Sequence, residues 1–161
     1  MTGTINLAIE GGTHDASNPA GRDYFNSKPR LTFADAADET HHYTFRMPEN
    51  YASGLTLKAQ YSMESATSGN VILAAQVMAV SDGDSAAVDT DSYDTVNTSS
   101  ATAVPGTAGY IDEISLTLSN ADSVAAGDWV AIKIFRDADN ASDTATGDLE
   151  LIALSLEYTT S

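Results

Sequence analysis

The sequence predicts an all-β protein, an antiparallel β-sandwich of about eight strands. Three observations carry that expectation. Apolar residues recur at every second position in segment after segment, the segments are separated by clusters of Gly, Asn, Asp, Ser and Pro, and helical periodicity is nearly missing.

In chain order, "TINLAI", "PRLTFA" and "HHYTFRM" within the first fifty residues each carry a short alternating segment. They read as weaker strands, and 1–50 is the least regular part of a single domain spanning 1–161. "ADAADET" from Ala34 has room for one helical turn but carries no apolar stripe of helical period. In "LTLKAQYSM", Leu55, Leu57, Ala59, Tyr61 and Met63 face one way, and Thr56, Lys58, Gln60 and Ser62 the other. The turn-rich "ATSGN" follows, and the apolar run Val71 to Val80 reads as the returning strand of a hairpin. Ser81 to Gly109, rich in Ala, Ser, Thr and Asp, reads as a long exposed connection. "YIDEISLTLS" sets Ile114, Leu116 and Leu118 on one face, and "DWVAIKIF" does the same with Val130, Ile132 and Ile134. The last strand, "LELIALSLEY", alternates Ile152, Leu154, Leu156 and Tyr158 against Leu151, Ala153, Ser155 and Glu157. The expected core between two sheets is Leu57, Val77, Leu116, Ile132, Ile134, Leu154 and Leu156.

Composition excludes several function classes. The 161 residues suit one domain with a real core. Cys is absent, which removes disulfides, thiolate metal sites and a Cys nucleophile. The start "MTGTINLAIEGG" has no basic segment and no sustained apolar stretch, so it does not read as a secretory signal. The longest apolar run, "VILAAQVMAV", is broken by Gln76 and falls short of the roughly 20 residues that cross a bilayer, so no membrane span is expected. Asp plus Glu number 23 against 7 Lys plus Arg, for a formal net charge of -16. The cations are scattered, and nucleic acid is not an expected partner. Such a chain repels its own copies unless salt screens it.

The Asp-dense stretch "DADNASDTATGD" from 137 to 148 invites a calcium reading. Asp137, Asp139 and Asp148 fit positions one, three and twelve of a calcium loop, but Ala141 stands at five and Ser142 replaces the Gly at six. The flanks are strands, so the EF-hand reading fails. A looser site would draw on the second acidic tract, with Asp82, Asp84, Asp89, Asp91 and Asp94, if the two loops met at one end of the sandwich. Solvated turn tips are the default for Asp-rich loops.

Catalytic signals are weaker still. His14, His41 and His42 are the three imidazoles, and no Ser sits in a G-x-S-x-G setting. Adjacent His41 and His42 point to opposite faces of a strand, one exposed and one packed or hydrogen-bonded. Asn97-Thr98-Ser99 and Asn140-Ala141-Ser142 match the glycosylation triplet, a match short enough to arise by chance. Trp129, Tyr61 and Tyr110 would make a sugar-stacking platform if they met, although aromatics on strands more often pack in the core.

Three stretches carry a resemblance: "ATSGNVILAAQVMAVSDGD", "AVPGTAGYIDEISLTL" and "SVAAGDWVAIKIFRDADNASDTATGDLELIALSLEY". Together they resemble a recurrent pattern of tailed-phage virion proteins with a jelly-roll β-sandwich domain. Gly69, Gly83, Gly106, Gly109, Gly127 and Gly147 match its turns. The resemblance implies a jelly-roll-like fold and a structural, non-enzymatic role in the virion, assembled in the host cytoplasm. The expected role is capsid decoration or cement, with the major capsid protein as partner and a homo-oligomer, the trimer favoured, for avidity. Arg22, Lys28, Arg30 and Arg46 in 1–50 mark the expected attachment side. A tail, baseplate or fibre module, or a carbohydrate-binding β-sandwich module, is the alternative. The sequence assigns no catalytic, cofactor or metal residue.

Overall fold

The computed structural model describes every residue except Ala86. Among the described residues there are strands and no helix. The strands are β1 (Thr2–Leu7), β2 (Thr13–His14), β3 (Gly21–Phe25), β4 (Lys28–Phe33), β5 (Thr40–Arg46), β6 (Tyr51–Met63), β7 (Asn70–Val71), β8 (Leu73–Val80), β9 (Asn97–Thr98), β10 (Thr102–Ala103), β11 (Asp112–Thr117), β12 (Trp129–Arg136) and β13 (Leu149–Thr160). Four are two-residue strands, so the longer ones come close to the expected eight.

A six-stranded sheet runs β11-β6-β13-β4-β3, with β1 also on β13, and a five-stranded sheet runs β2-β5-β12-β8-β9. The strands pair antiparallel throughout both. The short pair β10-β7 stands apart. β13 is the organising strand. It holds β6 along one edge, and on the other it takes β4 near its start and β1 toward its end.

The core lies between the sheets, where the period-two faces place it. Leu116, Leu57, Leu156 and Ile5 align across the six-stranded sheet, and Val77, Ile132 and Tyr43 across the five-stranded one. Every residue of the expected core is buried. Burying each such Leu, Ile or Val stabilises by about 1.5–3 kcal/mol before chain entropy is set against it.

Three expectations are corrected. β6 and β8 do not form a hairpin: β6 pairs β11 and β13, whereas β8 pairs β12 and β9, so the "ATSGN" turn carries the chain from one sheet to the other. Alternation fixes which face of a strand is buried but not which strand lies beside it. Next, β13 carries a bulge at Ile152, because Leu151 pairs Tyr61 while Ala153 pairs Gln60. The extra residue shifts the alternation, so Leu149 and Leu151 join Leu154 and Leu156 in the core while Ile152 turns outward.

Lastly, the tract from Ser81 does not stay exposed along its length. Asp94 N–H donates to Val77 O at 2.8 Å, Gln76 Nε2 to Asp94 O at 3.0 Å, and β9 adds itself to β8. A bare edge on β8 would leave backbone donors and acceptors unpaired, and this tract covers them. The first fifty residues are equally integrated, supplying β1, β3 and β4 to one sheet and β2 and β5 to the other.

Candidate functional site

The β3–β4 hairpin turns on Asn26 and Ser27, both at positive φ (49° and 61°), the conformation of the two-residue turns whose twist suits a hairpin. Its register pairs Asp23 with Arg30 and Phe25 with Lys28, and this alternation puts Asp23, Phe25 and Arg30 on the outer face of the six-stranded sheet. The Arg30 guanidinium stacks 4.5 Å from the centre of the Phe25 ring and ion-pairs with Glu150. Ser62 Oγ donates to Glu150 Oε2 at 2.9 Å. Glu150 is only 6% exposed and lines the floor of a groove.

The 108–111 segment forms the facing wall, held where Gly109 N–H donates to Met63 O at 3.0 Å. Phe25 and Arg30 divide the space. On one side is a cavity of about 440 Å³ reaching Asp23, Glu64 and Glu150, and on the other one of about 270 Å³ reaching Ser62, Ile111 and Ile152. Tyr24, Phe25, Tyr110 and Ile111 are all more than half exposed. Phe25 and Ile111 line the cleft, whereas Tyr24 turns to the other face of the hairpin, where its hydroxyl donates to Glu10 Oε1 at 3.2 Å. Exposed apolar side chains beside convergent polar groups suit binding of a ligand that has both apolar faces and hydroxyls. The Arg30–Glu150–Ser62 set offers donors and an acceptor.

The residues singled out in the sequence fall elsewhere. The two acidic loops do not meet: Asp82 and Asp84 follow β8 beside Trp129, and Asp137 and Asp139 follow the other end of β12. Asp38, which sequence spacing did not suggest, joins Asp137 and Asp139, with carboxylate oxygens within 4.8 Å of one another. Burial pushes the Asp38 carboxyl above the usual range, Asp139 and Asp137 add to this, and the Ala138 N–H donating at 2.8 Å opposes it. Asp148 lies outside this group. Asp143 is committed to structure, bonding Arg136 through both oxygens at 3.0 and 2.7 Å.

His41 and His42 do face opposite ways. His41 is buried beside Tyr43, with Nε2 2.8 Å from Gly11 O. His42 bridges Asp15 (3.0 Å) and the Tyr93 hydroxyl (3.1 Å) on the outer face of the other sheet. The aromatic platform does not assemble: Tyr61 is in the core, Trp129 lies on the five-stranded sheet beside Arg46, and Tyr110 is exposed on the 108–111 segment. Asn97 is buried and bonded to Asn120 O, which removes it as a glycan acceptor. The four N-terminal cations do not share a face, since Lys28 and Arg30 line the cleft while Arg46 pairs Glu49 on the opposite sheet.

No family model matches the chain, and no curated protein does. Solved structures share its fold. A CBM35 module from Cellvibrio japonicus Abf62 superposes with a TM-score of 0.53 at 9% identity over 100% of this chain and 99% of that one. The xylan-binding module CBM15 does so at 0.52 and 12% identity, over 99% of each chain. The architecture shared with them is the β-sandwich jelly roll. Neither neighbour is a virion component.

Proposed function

We propose that this protein is a non-catalytic carbohydrate-binding module that holds its ligand in the cleft between the β3–β4 hairpin and the 108–111 segment. The observation that carries the reading is the exposed Phe25 ring set over the Arg30–Glu150–Ser62 floor. A sugar ring has an apolar C–H face that packs on an aromatic side chain and a rim of hydroxyls that both donate and accept. The floor supplies partners for those hydroxyls, and the fold shared with a xylan-binding module supports the same reading. The test is affinity electrophoresis or calorimetry with soluble xylan, mannan and glucan. At least one is expected to bind, and Phe25→Ala should weaken that binding tenfold or more without moving the melting temperature. Equal binding by Phe25→Ala rejects the cleft.

Capsid decoration is a second reading, favoured by the phage-like succession of turns at Gly69, Gly83, Gly106, Gly109, Gly127 and Gly147. The exposed Tyr24, Phe25, Tyr110 and Ile111 would then meet the major capsid protein or a neighbouring copy in a trimer. Regular knobs on capsids mixed with the purified protein support it. Bare capsids and a monomeric mass reject it.

A further inference from the structure

Below the cleft, the outer face of the six-stranded sheet continues as a shallow trough toward Gly54. Two more cavities lie along it, of about 170 Å³ over Asn6, Lys58, Gln60 and Ser155, and about 200 Å³ over Thr2, Gly54, Thr56 and Glu157. The strand register lines up its floor in rows. Asn6, Ser155, Lys58 and Ser115 stand side by side across four strands, and Thr4, Glu157, Thr56 and Thr117 form the next row. This floor is made of hydroxyls, amides and single charges rather than large apolar groups.

Two backbone irregularities bracket the trough. The Ile152 bulge sits at its upper end, and at its lower end β13 passes from Tyr158 opposite Leu55 to Thr159 opposite Ser53, skipping Gly54 at φ +66°. Bulges bend a strand and sharpen its twist, so each marks where the regular face ends. From Ser62 to Gly54 along β6 the face runs about 27 Å at the usual rise per residue.

We infer that the ligand is the interior of a linear polysaccharide without acidic groups, lying along β6 and β13 from the Phe25 cleft toward Gly54. The inference rests on the carbohydrate-binding reading and adds to it the ligand's length and charge class. Length follows from cavities strung along one sheet face instead of a single closed pocket. Charge follows from the balance along this path. Arg30 is tied to Glu150 and Lys58 to Glu113 at 3.4 Å and Ser115 Oγ at 2.6 Å, so Lys28 at the cleft edge, bonded to Asn26 O at 3.4 Å, is the one lining cation without a carboxylate partner among the described residues. Asp23, Glu64 and Glu157 add negative charge along the same path, on a chain of net charge -16. These three carboxylates outnumber Lys28, so a uronate or sulfate polymer would be repelled along the trough.

The experiment titrates the wild-type protein with xylan, mannan, glucan and polygalacturonate, then with di- to hexasaccharides of the polymer that binds best. The hexasaccharide is expected to bind at least tenfold tighter than the disaccharide, and polygalacturonate not to bind. Ser155→Trp or Glu157→Trp, each placing a bulky ring in the trough, should abolish the gain with length and leave disaccharide binding in place. With both variants shown to be folded by circular dichroism, equal di- and hexasaccharide affinity, or length dependence that survives both blocks, overturns the trough while leaving the cleft reading intact. Preference for polygalacturonate overturns the charge class. Absence of binding to any glycan overturns both readings together, as does a dimer that the tryptophan variants dissociate in its place.

Discussion

His41 lies under the five-stranded sheet with its Nδ1, like the Tyr43 hydroxyl beside it, lacking a hydrogen-bond partner among the described residues. Burial holds the imidazole pKa below its ordinary 6.5 and pushes the Tyr43 hydroxyl up to about 12. The unfolded chain therefore takes up a proton below about pH 6.5 that the folded chain refuses, so stability falls as the pH drops through that value. Asp15 acts in a lower window. The hydrogen bond from His42, with those from Ser17, holds its carboxyl well below the usual range, and the stability it contributes above pH 3.8 is lost in more acid solution. Urea melts between pH 8 and pH 5 should show the first loss, and His41→Gln should flatten it. A slope unchanged in that variant would place the titration elsewhere. The opposed faces of His41 and His42 were legible from period two alone. The cleft residues were not, because Phe25, Arg30 and Glu150 come together only once β3, β4 and β13 are neighbours, and no spacing in the chain records that.

The segment between β12 and β13 shows what its Asp residues are for. Arg136 is fully buried at the end of β12, bonding Asp143 through both carboxylate oxygens and the carbonyl oxygens of Ala145 and Gly147. Asp143 Oδ2 also accepts from the Ile72 N–H at 3.0 Å, tying this loop to the start of β8. Asp143→Ala leaves the guanidinium buried without its counter-charge, and should cost about 3–5 kcal/mol in denaturant melts. A loss under 1 kcal/mol would mean that water reaches Arg136. Gly69 belongs to the same junction: at φ +93° it passes so close that an added Cβ would stand 2.9 Å from the backbone of Ala145. The sequence marked this glycine as a turn, but its spacing to the next strand suited a hairpin as well as a crossing between sheets. The tight approach to Ala145 is a contact between distant segments, and it decides the matter only in three dimensions.

Across the whole molecule, strand faces and core were legible because burial on one side imposes period two on every long strand, and Leu57, Ile132 and Leu156 obey it. Partner strands were not, since any apolar face suits any other. The charge of -16 also acts at this scale. Screening should raise the melting temperature in sodium chloride, and calcium at equal ionic strength should add little, because Asp38, Asp137 and Asp139 gather without Asp148 or the acidic tract at 82–94. A low-micromolar calcium isotherm of one ion, lost in Asp137→Ala, would contradict that. The proposal places ligand binding on the outer face of the six-stranded sheet. Its most direct test is the backbone amide NMR spectrum of labelled protein titrated with the best-binding soluble polysaccharide. Shifts are expected at Phe25, Arg30, Gly109, Ile111 and Glu150, running down β6 and β13, with the five-stranded sheet unmoved. Shifts confined to Arg46, Asp82 and Trp129 on the opposite sheet, or none with any glycan, would contradict it.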